Sequence, residues 1–465
     1  MADRTVIIHG WSDCSESFQH LKKCLAAEGL GGVRDIFYAD YQSREDNVTF
    51  DDVVGGLNDA LGAQGLLDGR PFNVVVHSTG GLVIRHWIWR YWRDRIDECP
   101  VKNLVMLAPA NFGSPLAHRG KSFLGRLFKG RWKIGDMLEV GQNLLSGLEL
   151  ASPHQWHLAH RDLLGDQCFY AGDRVRLTVL VGLDDYEGLR GWVNKPGTDG
   201  TVVIAGTPLN AIKVTLDFTK GRGPVCWEVG KNVAQFGFGV LPGYDHGSIV
   251  SVFDGHRDKP DDVLIRHTLS ALRVRTPKQF DKHVEALEKV TRQAYDAGGD
   301  EDGKGPPPVF QQFLLHAVDD QGAPIRDFTL EFFVRRVDRA DDDNKILTGR
   351  GSTQKERELS EEVNKRMCGE FHTFRQDASF RRMLVDIVAV APLVPEGYLL
   401  AMRLHVPKID RGIYYDTANT QDVVIWEPGA EDGPTFFFPN TTTLVELVVD
   451  RRTDYVTVGT SPRSS

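Results

Sequence analysis

Apolar residues over roughly the first 270 positions follow two rhythms. Short, largely apolar segments at 5–8, 34–38, 72–76, 103–107, 176–181, 212–218 and 236–241 have the length of strands. Between several of them, helical spacing appears at 15–28, 51–64 and 80–94, and a further helix is expected after residue 246. Such alternation predicts an α/β fold, a parallel sheet wrapped by helices. In open sheets of this kind a site forms at the carboxyl ends of the strands.

The rhythm then changes twice. Between 112 and 164 no sheet strand is evident. Phe123, Leu124, Leu127 and Phe128, then Met137, Leu138 and Val140, then Leu144, Leu145, Leu148 and Leu150 sit at helical spacing among glycines, which predicts a cap of short helices. An apolar cap can receive an acyl chain at roughly 0.8 kcal/mol per buried methylene, and the same residues could equally complete an ordinary core. Lys121, Arg126, Lys129, Arg131 and Lys133 make this insertion locally basic, which suits either a phosphate-bearing headgroup or a solvated face. Near Gly298 the chain turns acidic and glycine-rich and then meets Pro306-Pro307-Pro308, a tether that follows a charged helix over 277–295. Beyond it, alternating segments at 309–316, 328–334, 383–391, 398–404 and 442–449 predict an antiparallel, β-sandwich-like domain. The expected organisation is 1–275 as a catalytic domain with a cap insertion at 112–164, 276–308 as helix and linker, and 309–465 as the β-domain.

Composition narrows the partners. A chain of 465 residues exceeds what one core usually serves, and its formal charge of −9 argues against nucleic acid. The cysteines (Cys14, Cys24, Cys99, Cys168, Cys226, Cys368) have neither metal nor disulfide spacing, which suits a reducing compartment. The N-terminus runs straight into a strand-like segment, so no signal peptide is expected, and no apolar run approaches a membrane span. The expectation is a cytoplasmic protein as synthesised. Export by a signal-peptide-independent route, as for a contact-delivered bacterial effector, would fit the same features.

The chemistry-bearing stretch is Val74-Val75-Val76-His77-Ser78-Thr79-Gly80-Gly81, a strand followed by small residues and then the helical Leu82-Val83-Ile84. Serine becomes a nucleophile when a tight strand-to-helix turn holds its hydroxyl beside a base. The usual pattern is Gly-x-Ser-x-Gly, and Val76 stands in place of the first glycine. His9-Gly10-Trp11 after the first strand and Thr79 after the serine are placed to offer two backbone N–H groups, from Trp11 and Thr79, to an oxyanion. A carboxylate and then a histidine must follow in the chain. Asp199, between Gly197 and Gly200, is the favoured acid, with Asp184 and Asp185 as competitors; His246, in Tyr244-Asp245-His246-Gly247, is the favoured base, with His256 in reserve. His77, His86 and His118 read as structural, His77 because strand alternation points it away from the turn.

Taken together, His9-Gly10-Trp11, Val76 to Gly81, Ala108-Pro109-Ala110-Asn111-Phe112-Gly113-Ser114-Pro115-Leu116-Ala117, Thr198-Asp199-Gly200-Thr201-Val202 and Asp245-His246 resemble the α/β-hydrolase lipases, in particular the lecithin–cholesterol acyltransferase-like lipases and phospholipases and related bacterial lipases. The resemblance covers roughly residues 1–270. It implies an α/β-hydrolase domain and a triad of Ser78, Asp199 and His246. It also implies hydrolysis of carboxylic esters of lipids through an acyl-enzyme, with no cofactor. A short-chain esterase or thioesterase, an acyltransferase, and a degenerate hydrolase acting as a binding protein are the alternatives. For the β-domain the open roles are docking on a lipid surface, on a partner protein or on the catalytic domain.

Overall fold

The computed structural model of the chain describes residues 4–8, 15–30, 34–36, 47–117, 142–184, 197–219, 226–230, 234–251, 253, 262–296, 308–337, 352–407, 413–415, 422–429 and 436–453. It divides into two compact units, one formed by Met1–Ile212, Lys231–Gln312 and Pro439–Thr442, the other by Lys213–Gly230, Phe313–Phe438 and Thr443–Ser465.

In the first unit the strands are β1 (Thr5–Ile8), β2 (Arg34–Ile36), β3 (Phe72–His77), β4 (Val101–Leu107) and β5 (Arg176–Gly182). Next in the chain come β6 (Ile212–Asp217), β7 (Cys226–Gly230) and β8 (Phe236–Leu241). Six of these form one sheet of order β2-β1-β3-β4-β5-β8, and every neighbouring pair in it is parallel. β1 and β3 are buried at every position, which is why apolar residues dominate both. The segment at 212–218, expected in this sheet, is not part of it. β6 instead pairs antiparallel with β7 in a sheet of the second unit, and its positions are only partly buried.

The helices of this unit are α1 (Ser15–Ala27), α2 (Phe50–Ala63), α3 (Gly80–Trp92), α4 (Gln142–Leu148), α5 (Pro153–Asp162), α6 (Ser248–Ser251), α7 (Val263–Leu272) and α8 (Pro277–Asp296). α2 starts at a reciprocal cap. The Thr49 hydroxyl accepts from Asp52 N–H, and the Asp52 carboxylate accepts from Thr49 N–H at 2.9 Å. Its Phe50, Val54, Leu57 and Leu61, spaced four, three and four apart, are all buried. At the other end of the sheet, two buried strand asparagines hold α7 by its last carbonyl: Asn73 and Asn103 both donate to Leu272 O. α8, the charged helix expected before the tether, belongs to the first unit and packs along β8 through Leu287.

Among the described residues of this unit, one arginine–carboxylate pair is fully buried. Arg85 of α3 donates through Nε and Nη2 to the two carboxylate oxygens of Asp162 at 2.8 and 2.9 Å, and through Nη1 to Asn111 O; both side chains are 0 % exposed. The Tyr170 hydroxyl donates to the same carboxylate, and burial, then the Asp162 charge, push the phenol well above its usual value. Arg85 also lies over the Phe112 ring. The pair ties α3 to α5 and to the segment after β4, the elements around the turn at Ser78.

In the second unit the strands are β9 (Phe310–Asp319), β10 (Thr329–Arg336), β11 (Glu370–Thr373), β12 (Phe380–Asp386), β13 (Tyr398–His405), β14 (Ile413–Tyr415), β15 (Val423–Trp426), β16 (Thr442–Val449) and β17 (Arg451–Thr453). They make a three-stranded sheet β10-β13-β15, a six-stranded sheet β11-β12-β9-β16-β6-β7 and a β14-β17 pair. Alternation predicted the sheets but missed a helix. α9 (Gln354–Cys368) starts at a Thr353–Glu356 capping box and packs on both β10 and β12. β10 is an edge strand, and α9 closes that edge. Phe332 N–H donates to Asn364 Oδ1, Val334 N–H to Ser360 Oγ and Arg336 N–H to Glu356 Oε1. Four helical residues rise about 6 Å and two strand residues about 6.6 Å, so the two spacings nearly match. The expected strand at 383–391 ends at Asp386, whose side chain caps the short helix α10 (Ile387–Val390).

Two predictions follow from the first unit. Asp162→Asn leaves Arg85 buried without its counter-charge, so stability should fall by roughly 3–5 kcal/mol, read from the denaturant midpoint at constant m-value; a loss under about 1 kcal/mol contradicts this assignment. The second concerns acid. Burial lowers His154 from its ordinary 6.5 to about 3 and His283 to about 4, and also lowers His86 and His267. These rings are neutral when folded and bind protons when unfolded, so stability is full above pH 6.5 and declines as pH falls toward 4. His283→Gln, which can keep hydrogen bonds to Thr178 and Ser270, should flatten that decline by about 1.4 kcal/mol per pH unit; an unchanged slope of melting temperature against pH counts against it.

Candidate active site

Ser78 follows the last residue of β3 and precedes α3, with φ of +53°. A non-glycine residue there is strained unless its surroundings hold it. Here Ser78 N–H donates to Leu107 O at 3.1 Å, and Ser78 O accepts from Ala110 N–H at 2.9 Å and Gly81 N–H at 3.2 Å. A Cβ on Gly81 would lie 2.8 Å from both Pro109 Cβ and Asn111 Oδ1, so this position needs glycine to let α3 pass. Val76 takes an ordinary strand position, fully buried and in register between Ile8 and Met106, and the turn forms without the first glycine of the usual pattern.

Asp199 comes from a turn flanked by Gly197 (φ +73°) and Gly200 (φ +89°) and is 0 % exposed. Its Oδ1 accepts from Thr201 N–H at 3.0 Å and Val202 N–H at 2.8 Å, which fixes the carboxylate and leaves Oδ2 facing His246. The 2.9 Å contact from His246 Nδ1 to that oxygen assigns the ring proton, because an ionised carboxylate can only accept. Nε2 is then an acceptor, and the Ser78 hydroxyl donates to it at 3.2 Å. Three distant loops thus bring Ser78, His246 and Asp199 into one hydrogen-bonded line.

The loop carrying His246 is held along its length. Gly182, at the end of β5, lies so close to Tyr244 O that no side chain fits there. Asp184, a competing acid, is occupied with this loop: its carboxylate accepts from Gly243 N–H at 3.0 Å, and its own N–H donates to Tyr244 O. Asp245 accepts from Gly247 and Ser248 N–H and starts α6. The Tyr244 hydroxyl donates to Asp262, the cap of α7. His246 N–H donates to Asp199 O at 2.9 Å.

Alternation misplaced His77. The ring of His77 is not carried away from the site: its centroid is 4.6 Å from that of His246, and its Nε2–H donates to His246 O at 3.2 Å. His86, by contrast, sits on α3 beside Asp51 at 3.3 Å, consistent with a structural role. Thr79 opens α3 directly after Ser78. Trp11, His9 and Gly10, the competing Asp185, the reserve His256, His118 and the basic cluster at 121–133 lie outside the described residues. What is described of the cap, Leu144, Leu145, Leu148 and Leu150, is buried, and the Ser114 hydroxyl donates to Thr201 O at 2.6 Å beside the Asp199 turn. Burial pushes the thiols of Cys24 and Cys99 up to about 11 and 12, which keeps them protonated and unreactive near neutrality. Among the described residues no cluster of three or more His, Cys, Asp or Glu could hold a metal ion, and no helix is long and apolar enough to cross a membrane.

No protein-family model matches the chain, and no curated protein matches it. Solved structures do. The phospholipase PlaB from Legionella pneumophila is similar with a TM-score of 0.80 at 22 % identity, over 100 % of this chain and 97 % of that one. The same protein in complex with thio-NAD is similar at 0.79 and 22 % identity over the same shares. The chain therefore has the α/β-hydrolase fold, continued by a sheet-rich second unit.

Proposed function

We propose that the chain is a serine ester hydrolase of the lipase or phospholipase type. The observation that carries this reading is the line Asp199 Oδ2, His246 Nδ1 and Nε2, Ser78 Oγ, with the serine held at positive φ where a strand turns into a helix. Ser78 Oγ attacks the carbonyl carbon of a carboxylic ester while His246 Nε2 takes its proton, and Asp199 stabilises the imidazolium and keeps the ring in the productive tautomer. The oxyanion is taken up by the backbone N–H of Thr79 and, by the reading of the His-Gly-Trp segment, that of Trp11. His246 returns the proton to the departing alcohol. Water then adds to the acyl-enzyme with His246 again as base, which releases the acid and restores Ser78.

The lipid substrate is supported by likeness that extends through the second unit to a protein named a phospholipase, and by the apolar residues of the insertion after β4. Phospholipid substrates require at least transient contact with a lipid surface.

Vesicles of phosphatidylcholine or phosphatidylglycerol should lose fatty acid in the presence of the purified chain, and Ser78→Ala should lower the rate by at least about 10³-fold with the melting temperature preserved. Wild-type turnover in Ser78→Ala overturns the mechanism. Cleavage of short p-nitrophenyl esters without any release from vesicles overturns the lipid assignment alone.

A further inference from the structure

The ring of His77 sits in a place that the proposed chemistry does not use. It is 2 % exposed, lies 6.1 Å from the Phe18 ring of α1 on one side and 4.6 Å from the His246 ring on another, and donates through Nε2–H to the carbonyl oxygen of His246. The residue directly before the nucleophile thus meets the base at the base's main-chain carbonyl and at its ring, the two rings tilted by 42°. His246 N–H is meanwhile tied to Asp199 O. The peptide groups on both sides of the base are therefore fixed, one by the acid's turn and one by the nucleophile's strand.

We propose that His77 is a positioning residue for His246: it locks the base loop to the serine turn so that His246 Nε2 faces Ser78 Oγ when the proton moves. This deepens the hydrolase reading above and rests on it. The physical need is clear in the geometry. The Ser78–His246 contact is 3.2 Å, at the long end of useful proton-transfer distances, and the loop that supplies His246 is also held by Asp199, on the β5 side and through α7. His77 alone among these anchors comes from the strand that ends at Ser78 itself. It therefore ties the base directly to the strand that carries the nucleophile, whereas Asp199 orients the ring and the others set the position of the loop in the fold. Only the Nε2–H tautomer of His77 can make this bond, because the carbonyl oxygen accepts and does not donate.

Three variants separate the two contacts. His77→Phe keeps a ring against His246 and loses the donor; His77→Gln keeps an N–H at similar reach and loses the ring; His77→Leu loses both. Fatty-acid release and the rate of inactivation by a fluorophosphonate are measured for each, with melting temperature as the check on folding. His77→Leu should lose about 100-fold in kcat, the effect of roughly 1 Å of misplacement, with KM within about 3-fold of wild type. His77→Phe and His77→Gln should fall between, at about 10-fold, and inactivation rates should follow kcat. A merely structural role would move the melting temperature without this split. Wild-type kcat in folded His77→Leu overturns the proposal; if that variant does not fold, wild-type kcat in both His77→Phe and His77→Gln overturns it. A wild-type chain that neither hydrolyses lipid esters nor reacts with the fluorophosphonate overturns the hydrolase reading, and the positioning role with it. Activity that is indifferent to residue 77 overturns the positioning role alone.

Discussion

A carboxylate with no exposure to water governs the site. The oxygens of a buried carboxylate must be hydrogen-bonded, and the chain provides Asp199 with two backbone N–H groups from its own turn and one imidazole N–H. That requirement propagates. The turn needs positive φ at Gly197 and Gly200, and His246 must come within reach, so the loop after β8 must fold back over the end of β5. The close approach at Gly182 and the bonds from Asp184 are how it does so. Once the ring is held by Nδ1, the other nitrogen is fixed in direction, and Ser78 is placed to meet it.

The serine's strain is borne elsewhere. Holding Ser78 at φ +53° relies on Leu107 and Ala110 of the neighbouring strand and its sequel, and on an α3 that is buried from Gly80 to Ile88. A helix so enclosed must find a partner for any charge on it, which accounts for Arg85 and the forked pair with Asp162. The segment bearing Asn111 and Phe112 joins the same network through a carbonyl and a ring face. The turn, the nucleophile helix and the start of the insertion are in this way one packed body.

Much of this could be read from residues alone, for a physical reason. Strands buried on both faces write themselves as largely apolar runs, and glycine pairs mark turns, so β1, β3, β4, β5 and β8 and the order serine, aspartate, histidine are visible. Other features leave no local trace. β6 has strand residues as clear as its neighbours', and only pairing partners remote in sequence assign it to another sheet. α9 is so polar that its apolar stripe is thin, and its task of closing the β10 edge falls to Glu356, Ser360 and Asn364, which read as ordinary surface residues. His77 meets a loop remote in sequence, a contact that alternation along its own strand does not report.

The central claim is that Ser78 is activated by His246, and covalent capture tests it most directly. Mass-spectrometric peptide mapping after reaction of the folded chain with a fluorophosphonate should find a single adduct, on Ser78, and His246→Ala should abolish it. An adduct on another serine, or undiminished labelling of Ser78 in His246→Ala, would contradict the claim.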